Sequence, residues 1–104
     1  MAQLNWTDLA VADLTNIAEF IRKDSATYAR ITIQRIRTSA RQIVQFPLSG
    51  RIVPETQIQT LREIIIGNYR LIYKIVSEER IDIITVFHSS KQLDTEEMKK
   101  HTNL

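Results

Sequence analysis

The residue with the clearest capacity for chemistry is Arg70, which lies in the stretch GNYRLIYKI at positions 67–75. The dipeptide at 67–68 marks a turn, and the aliphatic and aromatic residues after it are typical of a buried strand. An unpaired charge is costly to bury, so an arginine in such a strand needs an explanation. The position predicts either a salt bridge or a strand edge, or a site that binds a phosphate or an acidic partner.

A basic block covers residues 22–51, where six arginines and Lys23 face Asp24 alone. The block carries a charge of +6, so the remainder of the chain carries −4 of the net +2. Arg30, Arg37 and Arg41 are spaced i, i+7 and i+11, which places them within about 40° of one another on an ideal helix. We define these three as the arginine ridge. It predicts a surface for an acidic amphipathic helix of a partner, unless it only solvates the helix.

Composition excludes several kinds of site. The chain has 104 residues and no cysteine, and its two histidines are 13 positions apart, so we expect no metal centre. With two glycines there is no phosphate-binding glycine-rich loop, and we expect no cofactor. No apolar run approaches the ~18 residues of a membrane span, and the N-terminus does not resemble a secretory signal. The length predicts one domain, residues 1–104, with a polar tail at about 89–104.

The first half of the chain predicts two helices after a short strand at 2–6. Thr7 is placed to cap a helix over 8–23, and Ser25 to cap a second helix that ends near Gln45. Apolar residues recur at helical spacing in both segments. A connection of about two residues predicts that the helices form an antiparallel hairpin.

The second half predicts a loop over 47–60 and then three strands at 61–66, 69–76 and 81–87. A short helix at about 94–101 is a further possibility. The elements together predict an α+β fold, in which the N-terminal helical hairpin packs on a small, mainly antiparallel sheet. Alternation in the middle strand places Arg70 on the face away from Tyr69, and we expect that face or its rim to be open to solvent.

Four segments in order resemble the RelE/ParE superfamily of type II toxins. They are W-T-x-x-A-x-x-D-L-x-x-I-x-x-F-I at 6–21, PLSGRIVPE at 47–55, LREIIIGNYRLIYKI at 61–75 and DIITVFH at 82–88. The resemblance covers most of the chain. It implies a small bacterial toxin that acts in the cytoplasm and is neutralised by an antitoxin with a flexible segment that folds on binding.

The superfamily implies two activities. RelE-like members resemble ribonucleases that cut messenger RNA in the ribosome, which requires a base, an acid and fixed positive charge on the phosphate. The resemblance would then imply that Arg70 contacts the scissile phosphate, that His88 is the acid and that Glu55 is the base. However, HSSKQL follows the last strand where those nucleases have another tyrosine or more basic residues, and the loop IVPETQIQT has no lysine.

The other activity, that of ParE-like members, is inhibition of DNA gyrase, which requires a binding surface and no catalytic residues. The patterns GR-x-VPE, LRE-x-x-x-G-x-YR-x-x-Y and V-x-H resemble ParE more than RelE. This interpretation predicts a gyrase-directed toxin with an acidic ParD-like antitoxin. Arg51 and Arg62 are then candidate contacts to the target. A toxin-fold protein that only binds its antitoxin remains a third possibility.

Overall fold

A computed structural model describes residues 2–96 of the chain. Two helices pack on one face of a five-stranded sheet whose strand order is β1-β5-β4-β3-β2. The elements are β1 (Gln3–Trp6), α1 (Asp8–Arg22), α2 (Ala26–Gln45), β2 (Arg51–Ile52), β3 (Leu61–Ile66), β4 (Tyr69–Ser77) and β5 (Arg80–His88). The predicted α+β fold with a helical hairpin is confirmed. Most of the possible helix at 94–101 lies outside the described residues.

Both helices begin where the sequence predicts. The Thr7 hydroxyl accepts a hydrogen bond from the backbone N–H of Ala10 at 3.2 Å, and the Ser25 hydroxyl accepts one from Tyr28 at 3.0 Å. Each cap satisfies a backbone donor that the first helical turn leaves free. Over residues 2–96, neither helix is long and apolar enough to cross a membrane.

The sheet differs from a simple meander at both edges. β1 pairs in parallel with β5, from Gln3 opposite Arg80 to Trp6 opposite Ile83, so the last strand lies between the first and the fourth. β2, which lies inside the predicted loop, pairs antiparallel with β3 over two residues. A two-residue strand has no periodicity, and a parallel pairing between distant segments leaves no local signal.

Apolar residues are buried on both faces of the sheet. On the helix side, Leu71 and Tyr73 of β4 pack in a core with Ile36 of α2. On the other side a smaller core contains Val53, Leu61, Ile72 and Ile84, with Ile58 and Leu93 packed against it. The predicted alternation of β4 is therefore confirmed. The expected open face is wrong at Arg70, which is only 9% exposed because the chain after β2 folds back over the sheet.

Candidate functional site

Arg70 is the centre of a chain of four charged residues on the sheet face away from the helices. Its two terminal nitrogens donate to the Glu55 carboxylate at 2.9 and 3.0 Å, and one of them also donates to Glu63. The other oxygen of Glu63 accepts from Arg51 at 2.9 Å. We call Arg51, Glu63, Arg70 and Glu55 the charge network. It explains the arginine in the strand, because two carboxylates neutralise its charge.

The components of the charge network differ in their access to water. The Glu63 side chain is fully buried and that of Arg70 is 11% exposed, whereas Glu55 is 32% and Arg51 67% exposed. The Arg70 guanidinium also lies 5.2 Å from the centre of the Phe87 ring, a cation–π distance. The network is therefore anchored in the interior by Arg70 and Glu63, and Glu55 and Arg51 are its two solvent ends.

Ion pairing sets the protonation state of this network. Hydrogen bonds from Arg70 hold the pKa of the Glu55 carboxyl below its ordinary value of 4.5. The same bonds, with those to Glu63, raise the pKa of Arg70. A carboxylate with a lowered pKa and both oxygens occupied is a poor general base. Arg70 would have to give up a carboxylate before its terminal nitrogens could bind a phosphate.

His88 does not join this network. It lies opposite Tyr69 in the β4–β5 pairing, whereas Phe87 lies opposite Arg70. Directly paired residues point to the same face, and neighbouring residues in a strand point to opposite faces, so His88 and Arg70 face opposite sides of the sheet. The His88 ring instead packs edge-on to Tyr69 at 5.6 Å, with its Nδ1 2.7 Å from the Ser90 hydroxyl. Of the three predicted nuclease residues, the structure unites only Arg70 and Glu55.

Arg62 supports the turn before β2. It donates to the carbonyl oxygens of Gly50 at 2.9 Å and Gln59 at 3.2 Å. The buried Tyr73 hydroxyl donates to the carbonyl of Pro47 at 2.6 Å and accepts from Gly50 at 3.0 Å. Of the two predicted target contacts, Arg62 is thus held by the backbone, whereas Arg51 extends into solvent from the charge network.

The arginine ridge borders an apolar groove. The groove has a volume of about 800 Å³ and lies between α1, α2 and β1. Leu4, Trp6, Leu14 and Ile33 provide apolar walls, and Arg37 and Arg41 line one side. A smaller hollow of about 400 Å³ between the helices is lined by Arg30 and Arg37. The structure therefore brings the whole ridge beside apolar surface.

Two residues that make these contacts, Arg22 and Asp13, were not identified from the sequence. Arg22, in the last turn of α1, lines both hollows and extends the positive charge from α2 to the first helix. It lies inside the basic block, but the spacing that defines the ridge on α2 cannot include it. Asp13 accepts hydrogen bonds from the Thr85 hydroxyl at 2.5 Å and the Val86 backbone N–H at 3.0 Å. Its carboxylate satisfies these two donors of β5, which lie past the end of the pairing with β1. The residues in contact are more than 70 positions apart.

Between residues 2 and 96, no three acidic, histidine or cysteine side chains form a group that could hold a metal ion.

The sequence model that describes the ParE toxin of the type II toxin–antitoxin system ParDE matches residues 4–93.

The chain belongs to the ParE toxin family.

Named relatives of this ParE-family toxin agree with the assignment. "Toxin RelE2" of Caulobacter vibrioides is 31% identical over 91 residues, which are 88% of this chain and 99% of that protein. "Putative toxin Y4kP" of Sinorhizobium fredii is 28% identical over 90 residues, 86% of this chain and 91% of that protein. The predicted membership of the RelE/ParE superfamily, closer to ParE, is confirmed.

The fold of this ParE-family toxin is also found in a solved structure. A chain described as "Chromosomal ParDE TA system from P. aeruginosa" superposes with a TM-score of 0.69 and 21% identity. The match covers 85% of this chain and 96% of that one. At this identity the likeness shows the fold alone, and it agrees with two helices on a mostly antiparallel sheet.

Proposed function

We propose that this ParE-family toxin inhibits DNA gyrase by binding it, and that it breaks no bond itself. The proposal rests on the contacts that the Arg70 guanidinium makes. Two carboxylates occupy its terminal nitrogens, and the third nitrogen, Nε, is buried with no hydrogen-bond partner within residues 2–96. With His88 on the other face of the sheet, these residues do not converge on one phosphate. A binding surface requires no such convergence.

A comparison of two assays tests this function. Purified toxin added to purified gyrase is expected to block supercoiling and to trap cleaved DNA. Expression in bacteria is expected to trigger DNA-damage signalling and filamentous cells. Immediate arrest of translation with ribosome-dependent cuts in messages would instead establish the ribonuclease alternative. A chain that binds its antitoxin but arrests no growth would be an inactive toxin fold.

His88 provides a sharper separation of the two activities. The substitution His88→Gln keeps a polar side chain at the exposed end of β5 but removes the acid–base group. For a gyrase inhibitor we expect toxicity to stay within about twofold of wild type, because no proton transfer is involved. Loss of toxicity in a variant with an unchanged melting temperature would support the nuclease.

We further propose that an acidic antitoxin acts in the cytoplasm by docking on the groove bordered by the arginine ridge. The groove combines apolar walls with cations on both helices, which fits an amphipathic helix with carboxylates along one flank. Each exposed ion pair contributes only about 0–1 kcal/mol, so apolar burial must provide most of the affinity. The arginines are expected to act mainly on the rate of association.

Charge reversal tests this docking surface. The double variant Arg30→Glu with Arg37→Glu should slow antitoxin association and flatten its dependence on salt, measured by stopped flow or surface plasmon resonance. The single variant Arg37→Glu is also measured. Its matched control is Arg35→Glu, which reverses one charge on the opposite flank of α2. Equal association rates for all variants at low salt would move the antitoxin to another surface.

A further inference from the structure

The smaller hollow between α1 and α2 is strongly positive. It has a volume of about 400 Å³ and is lined by three arginines, Arg22 of α1 with Arg30 and Arg37 of α2. The side-chain amide of Gln34 also lines it, and within residues 2–96 no carboxylate does. We call this site the arginine hollow. Two helices thus bring three cations and an amide donor to one small volume.

The protein itself does not neutralise these arginines. The arginines that form ion pairs with carboxylates belong to the sheet, whereas over residues 2–96 those of the hollow form none. The helix α2 contains four arginines and neither aspartate nor glutamate. Arg37 and Arg41 are spaced i, i+4, at which like charges destabilise a helix. The toxin therefore keeps a row of cations that costs stability, and an anion bound there would relieve the repulsion.

The arrangement of the cations fits a polymer of phosphates. The arginine ridge runs from Arg30 in the hollow to Arg41 beside the groove, over about 16 Å of helix at about 1.5 Å per residue. One strand of duplex DNA rises by about 3.4 Å per phosphate, so about five phosphates span this length. A guanidinium presents two donors in a geometry that matches phosphate oxygens. A mononucleotide would fill the hollow and leave Arg41 without a phosphate.

Other occupants fit the arginine hollow less well. Three alanines and Ile33 form its apolar walls, whereas the large side chains of Trp6 and Leu14 line the antitoxin groove. A protein partner is anchored by large side chains in apolar pockets, which the groove offers and the hollow does not. Within residues 2–96 no aromatic side chain lines the hollow, so the unstacked bases of a single strand have no surface to stack on.

We propose that the arginine hollow, together with Arg41, binds the phosphate backbone of double-stranded DNA without reading its sequence. The inference goes beyond the proposed function and does not depend on it, because DNA binding can be measured without gyrase. Arg30 lines the hollow and not the groove, so the site can be altered while the apolar walls of the groove stay intact.

Fluorescence anisotropy of a labelled duplex of about 20 base pairs, titrated with purified toxin, tests the proposal. The dissociation constant at physiological salt should lie at about 10⁻⁴–10⁻⁶ M and be the same for a duplex of shuffled sequence. Contacts from four arginines predict a slope of about −3.6 in log K against log salt concentration. Arg22→Gln with Arg30→Gln should change the slope to about −1.8. It should also weaken binding about sixtyfold at about 0.1 M salt, since each contact contributes about eightfold there.

Arg35→Gln is the matched control for these variants. Arg35 lies on the same helix and loses the same charge, but it lines a different surface, between α2 and the end of β3. Its slope should equal that of the wild type. Melting temperatures of the Arg22 and Arg30 variants should stay close to wild type, because both side chains are exposed and form no ion pair within residues 2–96.

Four results would overturn the proposal. The first is no binding of the duplex by wild-type toxin, and the second is a slope that the Arg22 and Arg30 variant shares with wild type. The third is tighter binding of a single strand of the same sequence than of the duplex. The fourth is displacement of the duplex by ATP at about 1 mM, which would assign the hollow to a small phosphate compound. Failure of wild-type toxin to inhibit gyrase would refute the proposed function and leave this result unchanged.

Discussion

Substitution of Arg70 should destabilise the toxin whatever its activity. In Arg70→Met, Glu63 would keep a fully buried carboxylate whose remaining partner, Arg51, is 67% exposed. Glu55 can be rehydrated, because its side chain is already 32% exposed. Removal of one partner from a buried ion pair costs about 3–5 kcal/mol. The total stability of a domain is only about 5–15 kcal/mol, so the variant should be close to unfolding.

Urea unfolding measures this loss directly. Far-UV circular dichroism and the fluorescence of Trp6, the single tryptophan, should give one transition whose midpoint falls while the m-value stays constant. Arg80→Met is the matched control, because Arg80 also pairs with a carboxylate from a strand but is exposed. It should change stability far less than Arg70→Met.

A double variant separates the buried charge from lost packing. In Arg70→Met with Glu63→Leu no carboxylate is left unpaired in the interior, and most of the lost stability should return. The reasoning is refuted if Arg70→Met costs under about 1 kcal/mol, or if the double variant is no more stable than the single one. If it holds, loss of toxicity in an Arg70 variant is not evidence for catalysis.

Three further predictions concern the segment between α2 and β3. Tyr73→Phe removes the partner of the buried Gly50 N–H and of the partly buried Pro47 carbonyl, and it should cost about 2–3 kcal/mol in urea unfolding, whereas the control Tyr69→Phe removes a hydroxyl from a half-buried side chain and should cost less. Gly50→Ala should destabilise strongly and lower the melting temperature, because the new Cβ would lie 2.6 Å from a strand carbonyl oxygen and 2.7 Å from the Tyr73 hydroxyl. Since Arg70 lowers the Glu55 pKa, ionised Glu55 stabilises the fold above pH 4.5, and this contribution is lost as pH falls through the folded pKa. The stability difference between wild type and Glu55→Gln should therefore shrink below pH 4.5, and a constant difference would contradict the pairing.

The parts of the fold that depend on nearby residues could be predicted from the sequence. Thr7 and Ser25 identify the helix starts because capping acts over three residues. Gly67 identifies the turn between β3 and β4 because its φ of 59° is a conformation that glycine adopts freely. The arginine ridge follows from spacing on one helix. Each of these signals is complete within about a dozen residues.

The parts that depend on distant contacts could not be predicted. Arg70 was a candidate because of its place in an apolar strand and Glu55 through a resemblance to nucleases, and nothing in their spacing indicates that they pair with each other. Their pairing follows from the fold of the chain over the sheet between β2 and β3. The burial of Arg70 has the same origin. The pairing of β2 with β3 could not be predicted either, because a strand of two residues has no periodic signal.

The interior position of β5 has a consequence for the order of events during synthesis. Within residues 2–96, β5 is the last strand to be made, yet it pairs with both β1 and β4. Until it emerges from the ribosome, the first strand has no neighbour, and α1 lacks Asp13's contacts with Thr85 and Val86. Pairing of such distant segments is slow, because a long loop must close first. A nascent chain therefore cannot complete its sheet until His88 has been made.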